Sequence, residues 1–153
     1  MIVQIYTNEL EQEDVVDLLT EHHQDMLKHS PEESVHALDL SALKKPDITF
    51  WTLRVNNELA GCCALKELDK SHGEIKSMRT SQKFLRQGIA KKLLQHVLAQ
   101  AKHRSYLKLS LETGTEAAFK PAQKMYLQFG FIPCKPFGDY QEDPYSMFMS
   151  KPI

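Results

Sequence analysis

The middle of the sequence reads EIKSMRT at residues 74–80, FLRQGIAKK at residues 84–92 and LKLSLE at residues 107–112. The third segment alternates apolar and polar residues as a strand does, and residues 87–103 carry a wide apolar stripe at helical spacing. The first segment follows the turn at residues 71–73, so it is predicted to be a strand as well. A strand, a helix and a second strand in succession form a right-handed crossover, which makes the two strands parallel.

The residues before this crossover predict a first strand, two helices and a pair of strands. Asn8 is a candidate N-cap for a helix through Leu10 and Met26, and the Ser30-Pro31 pair begins a second, shorter helix at about residues 31–40. Strands are predicted at residues 2–6, 48–55 and 59–68, with the last two joined by a hairpin turn at residues 56–57. Together with residues 74–80, the last two form an antiparallel meander.

The residues after the crossover predict one more helix and two strands. The helix covers about residues 117–129, where Pro121 falls in the first turn and Gly130 takes the position of a C′ glycine. Strands follow at residues 131–134 and 145–151. The complete order is β-α-α-β-β-β-α-β-α-β-β. It predicts an α/β (α+β) fold with a single mixed, mostly antiparallel sheet of about seven strands and helices on both faces.

Length and composition favour one soluble domain that spans residues 1–153. Hydrophobic residues make up 42% of the chain and charged residues 25%, as is ordinary for a globular protein. No apolar run approaches the ~18 residues of a membrane span, and the first residues lack the features of a signal peptide. Cys62, Cys63 and Cys134 are an odd number of cysteines, which favours the reducing cytoplasm over a disulfide framework. Because Cys62 and Cys63 are neighbours in a strand, we expect one to face inward and one outward.

Charge is distributed unevenly along the chain. Residues 75–111 contain nine Lys or Arg and no Asp or Glu, whereas residues 1–42 contain ten acids and one lysine. A basic stretch is usually a solvated helix face, and it also suits an anionic ligand such as a phosphate. The acidic stretch suits either a cationic partner or a plain solvated surface.

The residues at the start of the long helix favour the phosphate interpretation. The first N–H groups of a helix have no internal partner and attract anions. Gly88 would let the backbone approach a ligand closely, Ala90 keeps the surface small, and Arg86 and Lys91 add positive charge. The alternative is an ordinary helix start that happens to hold a glycine. The segment is neither a P-loop nor a dinucleotide fingerprint, since those patterns need residues that are missing here.

These features resemble the GNAT superfamily of N-acetyltransferases over nearly the whole chain. Gly88 and Ala90 fit the Gln/Arg-x-x-Gly-x-Gly/Ala motif of that family, although Leu85 stands at its first position. Residues 126–131 match its Tyr-x-x-x-Gly-Phe ending, and Glu74 matches an acid early on the strand before the loop. The stretches at residues 110–114 and 138–149 are similar to a subgroup of bacterial acetyltransferases.

The resemblance implies acetyl-CoA as co-substrate and no metal. The pyrophosphate would contact the loop and the helix start, at Arg86, Gln87, Gly88, Ile89, Ala90 and Lys91. The pantetheine arm would lie along residues 74–80, with backbone bonds near Met78 and Thr80, where a bulge separates the two parallel strands. Lys120 stands where an asparagine is common in the family, and is included among the cofactor-binding residues.

The resemblance also implies two catalytic residues. Tyr126 would give a proton to the departing thiolate, and Glu74 would accept one from the amine, directly or through water. Two structural alternatives stay open: Tyr126 as a core aromatic, and Glu74 as a surface residue paired with Lys76 or Arg79. Three histidines are candidates for the acceptor pocket or for plain surface positions, namely His22, His23 and His36. We expect His96 on the outer face of its helix.

The predicted function is transfer of an acetyl group from acetyl-CoA to a primary amine by direct attack in a ternary complex. The acceptor would be a small molecule or a peptide, and the enzyme a monomer or homodimer without nucleic-acid or membrane partners. The alternative is a non-catalytic acyl-CoA-binding or regulatory module on the same fold. A nucleic-acid-binding domain is disfavoured, since the net charge is −1 and aromatic residues are only 8%.

Overall fold

One mixed sheet of seven strands organises the molecule. The computed structural model describes residues 1–35 and 39–153. The strands lie in the order β1-β2-β3-β4-β5-β7-β6, and among the described pairs only β4 and β5 are parallel. Their bounds are β1 Val3–Thr7, β2 Ile48–Val55, β3 Glu58–Asp69, β4 His72–Thr80, β5 Lys108–Gly114, β6 Ile132–Cys134 and β7 Ser146–Pro152. The predicted sheet and its single parallel pair are confirmed.

Helices cover both faces of this sheet, as predicted. The α-helices are α1 Glu13–His29, α2 Leu40–Leu43, α3 Ile89–His103 and α4 Lys120–Gln128, and short 3₁₀ turns occupy Glu32–Ser34, Gln82–Phe84 and Ala117–Phe119. Buried residues of α1 and α2 pack on one face, and those of α3 and α4 pack on the other. No helix in the described parts of the chain is long and apolar enough to cross a membrane.

Two predicted helix starts are wrong. α1 begins after Gln12, because the backbone of Asn8 is left-handed, with φ 60°. The Asn8 side chain caps a strand instead: its Oδ1 accepts a hydrogen bond from the Phe50 N–H at 3.1 Å. The helix predicted at residues 31–40 is a 3₁₀ turn followed by α2, and the residues between, 36–38, lie outside the described part.

The two adjacent cysteines are both fully buried, so the expectation that one faces outward is wrong. Cys62 packs beneath α1 and Cys63 packs beneath α3. Alternate residues of a strand point to opposite faces, and both faces of β3 are covered by helices. All three cysteines are free thiols.

A bulge in β4 separates it from β5. Cys62 lies opposite Arg79 and Ala64 lies opposite Lys76, so β4 has one residue more than β3 in this interval. Ser77 in the bulge has a left-handed φ of 55°. The β4–β5 ladder runs only from His72 to Ile75, while β5 continues to pair with β7 as far as Gly114. The bulge and the separation that the family resemblance implied are therefore confirmed.

Candidate active site

A cavity lies where β4 and β5 separate. It is lined by α1, by β4 from Glu74 to Met78, by β5 from Glu112 to Gly114, by the start of α4 and by Tyr140 from the loop between β6 and β7. Four of the residues that the sequence singled out line this one cavity: His22, Glu74, Met78 and Tyr126. Beyond the separation, the edge of β4 that faces β5 has no strand partner among the described residues, which leaves backbone groups for a ligand.

The acidic side chains and the tyrosine reach this cavity from opposite faces of the sheet. Ile75 and Leu111 pack in the core beneath α3 and α4. Because side chains alternate along a strand, Glu74 and Glu112 project to the other face, toward α1. Tyr126 comes from α4 and belongs to the core beneath α3 and α4. The cavity thus passes through the gap in the sheet.

Glu74 is held in a network of three side chains. It is only 3% exposed, and its Oε2 accepts hydrogen bonds from the Tyr140 hydroxyl at 2.6 Å and from Lys76 Nζ at 3.1 Å. Lys76 Nζ also donates to the Tyr140 hydroxyl at 2.7 Å. The expected pairing with Lys76 is therefore present, although Glu74 is buried and not a surface residue. The pairing with Arg79 is absent.

Arg79 instead binds α1. Its guanidinium donates to Glu21 at 2.6 Å and to Asp25 at 2.7 Å. These contacts tie the bulged end of β4 to the helix that bounds the cavity. Two acids of the acidic stretch are thereby neutralised within the fold.

Tyr126 keeps its proton in this environment. It is 5% exposed, and burial raises the pKa of its hydroxyl far above the usual range. No hydrogen bond joins this hydroxyl to any other residue that the structure describes. Its ring packs edge-on against Phe131, with 5.8 Å between centroids. Tyr126 is thus a core aromatic whose hydroxyl is protonated and without a partner beside the cavity.

Glu112 is a site residue that the sequence analysis did not single out. It lines the same cavity as Glu74, and burial raises the pKa of its carboxyl to about 7, against smaller lowering effects of the nearby Ser146 hydroxyl and of Lys76. The sequence offered a weak signal, because Glu112 is the one charged residue in a strand, residues 109–114, whose other residues are apolar or small.

The histidines divide between the cavity and the surface. His22 lines the cavity, and burial, with Arg79 nearby, lowers its pKa to about 4, so its imidazole is neutral at pH 7. His23 is exposed, and His36 lies outside the described residues. His96 corrects the expectation of an outer-face position: it is half-buried and packs edge-on against Trp51 at 5.0 Å.

The loop before α3 presents a run of free backbone N–H groups. The first helical bond runs from the Lys92 N–H to the Gly88 carbonyl. Among the described residues, none of the N–H groups at positions 86–91 donates to a backbone carbonyl. Gly88 has φ +79°, and a Cβ built on it meets nothing within 4 Å. The loop therefore borders open space, and it fits an anionic group that approaches the backbone.

The side chains around this loop take different positions. Arg86, Gln87 and Lys91 are exposed, whereas Ile89 is buried in the core and offers only its backbone. Arg86 has a left-handed φ of 62°, which turns the chain into the helix. Lys120 is exposed at the first residue of α4 and is not among the residues that line the cavity.

The fold and the cavity are those of an acyl-CoA N-acyltransferase. A family model described as the acetyltransferase (GNAT) family matches residues 12–131. The chain belongs to the GNAT family and is an N-acetyltransferase, an enzyme that moves an acetyl group from acetyl-CoA to an amine. The predicted family, enzyme class and co-substrate are confirmed.

Sequence relatives agree with this assignment. The chain is 57% identical over 139 residues to the uncharacterised N-acetyltransferase YsnE of Bacillus subtilis, covering 91% of this chain and 92% of YsnE. It is 47% identical over 146 residues to the uncharacterised N-acetyltransferase YedL of Escherichia coli, covering 95% and 92%. It is 37% identical over 124 residues to the IAA acetyltransferase of Azospirillum brasilense, covering 80% of each.

Solved structures share the fold. A candidate acyl-CoA N-acyltransferase from Klebsiella pneumoniae superposes with a TM-score of 0.80 at 27% identity, covering 99% of this chain and 97% of that one. A GNAT acetyltransferase from Elizabethkingia anophelis, solved with acetyl-CoA bound, superposes with a TM-score of 0.71 at 23% identity, covering 99% and 98%. Among the described residues of the present chain, no group of three or more His, Cys, Asp or Glu is arranged to hold a metal ion.

Proposed function

We propose that this enzyme acetylates a primary amine by direct attack within a ternary complex, through the gap between β4 and β5. One observation carries the proposal. A single cavity holds carboxylates that project toward α1 and a protonated tyrosine on the opposite face. Such a site can take a proton from the acceptor on one face and give a proton to the leaving group on the other. Acetyl-CoA supplies the acetyl group as a thioester.

Backbone groups would hold the donor. The free N–H groups of residues 86–91 suit its diphosphate, with Arg86, Gln87 and Lys91 around it and Gly88, Ile89 and Ala90 contributing main chain. The unpaired edge of β4 at Met78 and Thr80 suits its pantetheine arm, which would bind as an added strand does. Lys120, at the first turn of α4, is proposed as a further contact.

The acceptor must lose a proton before its nitrogen can attack the thioester. An alkylamine with a pKa near ~10.4 is neutral in only about one molecule in 10³ at pH 7, so the acceptor needs a base. Glu74 and Glu112 both lie on the acceptor side. Tyr126 would hold its proton until the thiolate leaves, and the Met78 N–H would polarise the acetyl carbonyl.

The acceptor side of the cavity is acidic. A neighbouring cavity shares Glu74, Lys76 and Tyr140 with the first one, and it adds four acids against Lys66, namely Glu33, Asp139, Glu142 and Asp143. This charge supports a cationic amine, either a small molecule or a peptide, as the acceptor. Since one relative is named IAA acetyltransferase, IAA is a compound to include beside the amines.

The test is thiol release from acetyl-CoA over a panel of putrescine, spermidine, tyramine, a tripeptide with a free N-terminus and IAA. We expect release with at least one amine, and no release with acetyl-CoA alone beyond the background. Binding of acetyl-CoA by calorimetry without turnover on any amine would favour a non-catalytic acyl-CoA-binding module.

Tyr126→Phe tests the proton donor. Loss of general acid catalysis typically costs 10²–10⁴-fold in rate, so we expect kcat to fall by about that factor while KM for acetyl-CoA stays within about twofold. Tyr6→Phe is the matched control, because the Tyr6 hydroxyl bonds Gln4 and not the cavity. A Tyr126→Phe enzyme with unchanged kcat would remove Tyr126 from the mechanism.

We place the enzyme in the cytoplasm as part of this proposal. Its three cysteines are free thiols, which is usual in a reducing compartment. Both a monomer and a homodimer are compatible with the proposed site.

A further inference from the structure

We propose that Glu112, and not Glu74, takes the proton from the acceptor amine, and that Glu74 is a positioning residue for Lys76 and Tyr140. This inference rests on the proposed function, because it assumes that an amine is the acceptor. It assigns separate roles to two carboxylates that share one cavity.

The position of Glu112 follows from the strand register. Ile75 and Leu111 are the last residues paired across β4 and β5, so Glu112 is the first residue of β5 beyond the ladder. It projects to the acceptor face, and it lines the cavity together with Glu74 and Tyr126. Glu112 therefore stands beside the gap itself, where an amine must meet the acetyl group.

The carboxylate of Glu74 already accepts hydrogen bonds from two side chains. Its Oε2 accepts from Tyr140 and from Lys76, and the two donors also bond to each other. An amine that approached this oxygen would have to displace Tyr140 or Lys76.

Glu112 differs from Glu74 in its ion pairing. None of the ion pairs between described residues includes it. The charged and titratable groups that face it are Lys76 and Glu74 from β4, Asp143 and Tyr140 from the loop before β7, and His22 from α1 across the cavity. Burial, with Glu74 and Asp143, outweighs the lowering by the nearby Ser146 hydroxyl and by Lys76, and raises the pKa of Glu112 to about 7. A base with a pKa near the working pH is the most effective proton acceptor.

The proposed step is balanced. The amine nitrogen forms a bond to the acetyl carbon, and the bond between that carbon and sulfur breaks. The ammonium form of the acceptor first gives one proton to the Glu112 carboxylate, which passes it to solvent. When the neutral amine attacks, its second proton passes to the same carboxylate, and the Tyr126 hydroxyl proton passes to sulfur. Glu112 then releases its proton to solvent and Tyr126 regains one, which restores the starting enzyme.

The experiment compares the pH dependence of kcat in Glu112→Gln, Glu74→Gln and the wild type, with saturating acetyl-CoA and the best amine of the panel. At saturation, kcat reports groups in the ternary complex. In the wild type we expect kcat to rise with pH through a pKa near 7, because Glu112 is a base only when ionised. In Glu112→Gln we expect kcat to fall at least about 100-fold. We also expect the rise of kcat through pH 7, which is the acidic limb of the pH profile, to disappear.

Glu74→Gln should keep the limb near pH 7, with a higher KM for the amine and a smaller loss of kcat. Glu116→Gln is the matched control, since Glu116 is exposed outside the cavity. Glu112→Asp keeps a carboxyl and should retain a limb at reduced kcat, which gives a second measurement if the glutamine variant folds poorly.

The outcomes are separable. If the limb survives in Glu112→Gln, or disappears in Glu74→Gln alone, Glu112 is not the base. If the wild type releases no thiol with any amine, the proposed function itself fails, and the pH profiles are never reached. Loss of the limb in Glu112→Gln alone establishes the proposed roles.

Discussion

Gly88 is the residue of the proposed donor site at which an added side chain should interfere most directly with binding. Its left-handed φ of +79° lets the chain turn into α3, and the space outside it is open. In Gly88→Val we expect KM for acetyl-CoA to rise at least tenfold, because the side chain would occupy the space that the diphosphate needs. Steady-state kinetics with acetyl-CoA as the varied substrate measure this.

Backbone strain needs its own control in that experiment, since valine disfavours a positive φ. Gly130→Ala provides it: Gly130 has φ +93°, and a Cβ there meets Lys151 Nζ at 2.8 Å, away from the loop. This variant should lose stability in a thermal melt and keep its KM for acetyl-CoA. Equal changes of KM in both variants would show that strain, and not the occupied space, weakens binding.

Single residues were predictable where a family motif marks them. Tyr126, Glu74 and Gly88 belong to motifs, and the structure brings Tyr126 and Glu74 to one cavity. Their roles remain predictions until the variants are measured. For Glu112 the sequence offered only the weak signal of a charged residue in a strand, because its raised pKa comes from burial and from charges on other elements, which are far from it in sequence. For the same reason, nothing in the sequence showed that Tyr140 would bind Glu74.

At the scale of elements, the bulge in β4 creates the site. One additional residue, with Ser77 at a left-handed φ of 55°, ends the β4–β5 ladder at Ile75. The sequence predicted the strand but not the bulge, because a left-handed residue in a strand is usually marked by a glycine and position 77 is a serine. Only the family resemblance implied the bulge. By contrast, β2 matches its predicted bounds of residues 48–55, because its run of β-branched and aromatic residues ends at a clear turn.

A close contact links the end of β5 to the start of α4. A Cβ on Gly114 would overlap the ring of Phe119, which lines the cavity, and the Gly114 carbonyl accepts from Gln123 Nε2 at 2.7 Å. We expect Gly114→Ala to cost about 1–3 kcal/mol in the free energy of unfolding and to lower kcat/KM for the amine. Denaturant titration and steady-state kinetics measure the two effects.

The double variant Gly114→Ala, Phe119→Leu tests whether steric overlap with the Phe119 ring causes the loss of stability in Gly114→Ala. Because leucine is smaller than the ring, it should restore part of the stability lost in Gly114→Ala. If Gly114→Ala is as stable as the wild type, the end of β5 is free to shift, and the contact does not fix α4.

At the scale of the whole molecule, charge is divided between the two substrate sides. The basic residues 75–111 include the loop proposed to bind the donor, whereas the acidic stretch at residues 1–42 includes α1 on the proposed acceptor side. Arginines neutralise part of the acidic stretch, since Arg54 binds Glu9 and Asp14. The charge separation was visible in the sequence, but these internal pairs were not.

Salt should weaken donor binding more than it weakens catalysis. Raising ionic strength to about 0.5 M shortens the screening length to several ångströms, so we expect KM for acetyl-CoA to rise at least about threefold while kcat changes little. Lys91→Gln should reduce this dependence, and Lys124→Gln, an exposed change on α4, should not. A KM that is indifferent to salt would argue against an electrostatic contribution from the loop.

The gap in the sheet also has a kinetic consequence. If donor and acceptor bind from opposite faces of the sheet, neither blocks entry of the other. Each product can then leave from the face at which its substrate bound. Free coenzyme A would then compete with acetyl-CoA but not with the amine, and initial-rate plots would intersect in place of running parallel. The interrupted β4–β5 ladder would thus let the two substrates bind in either order.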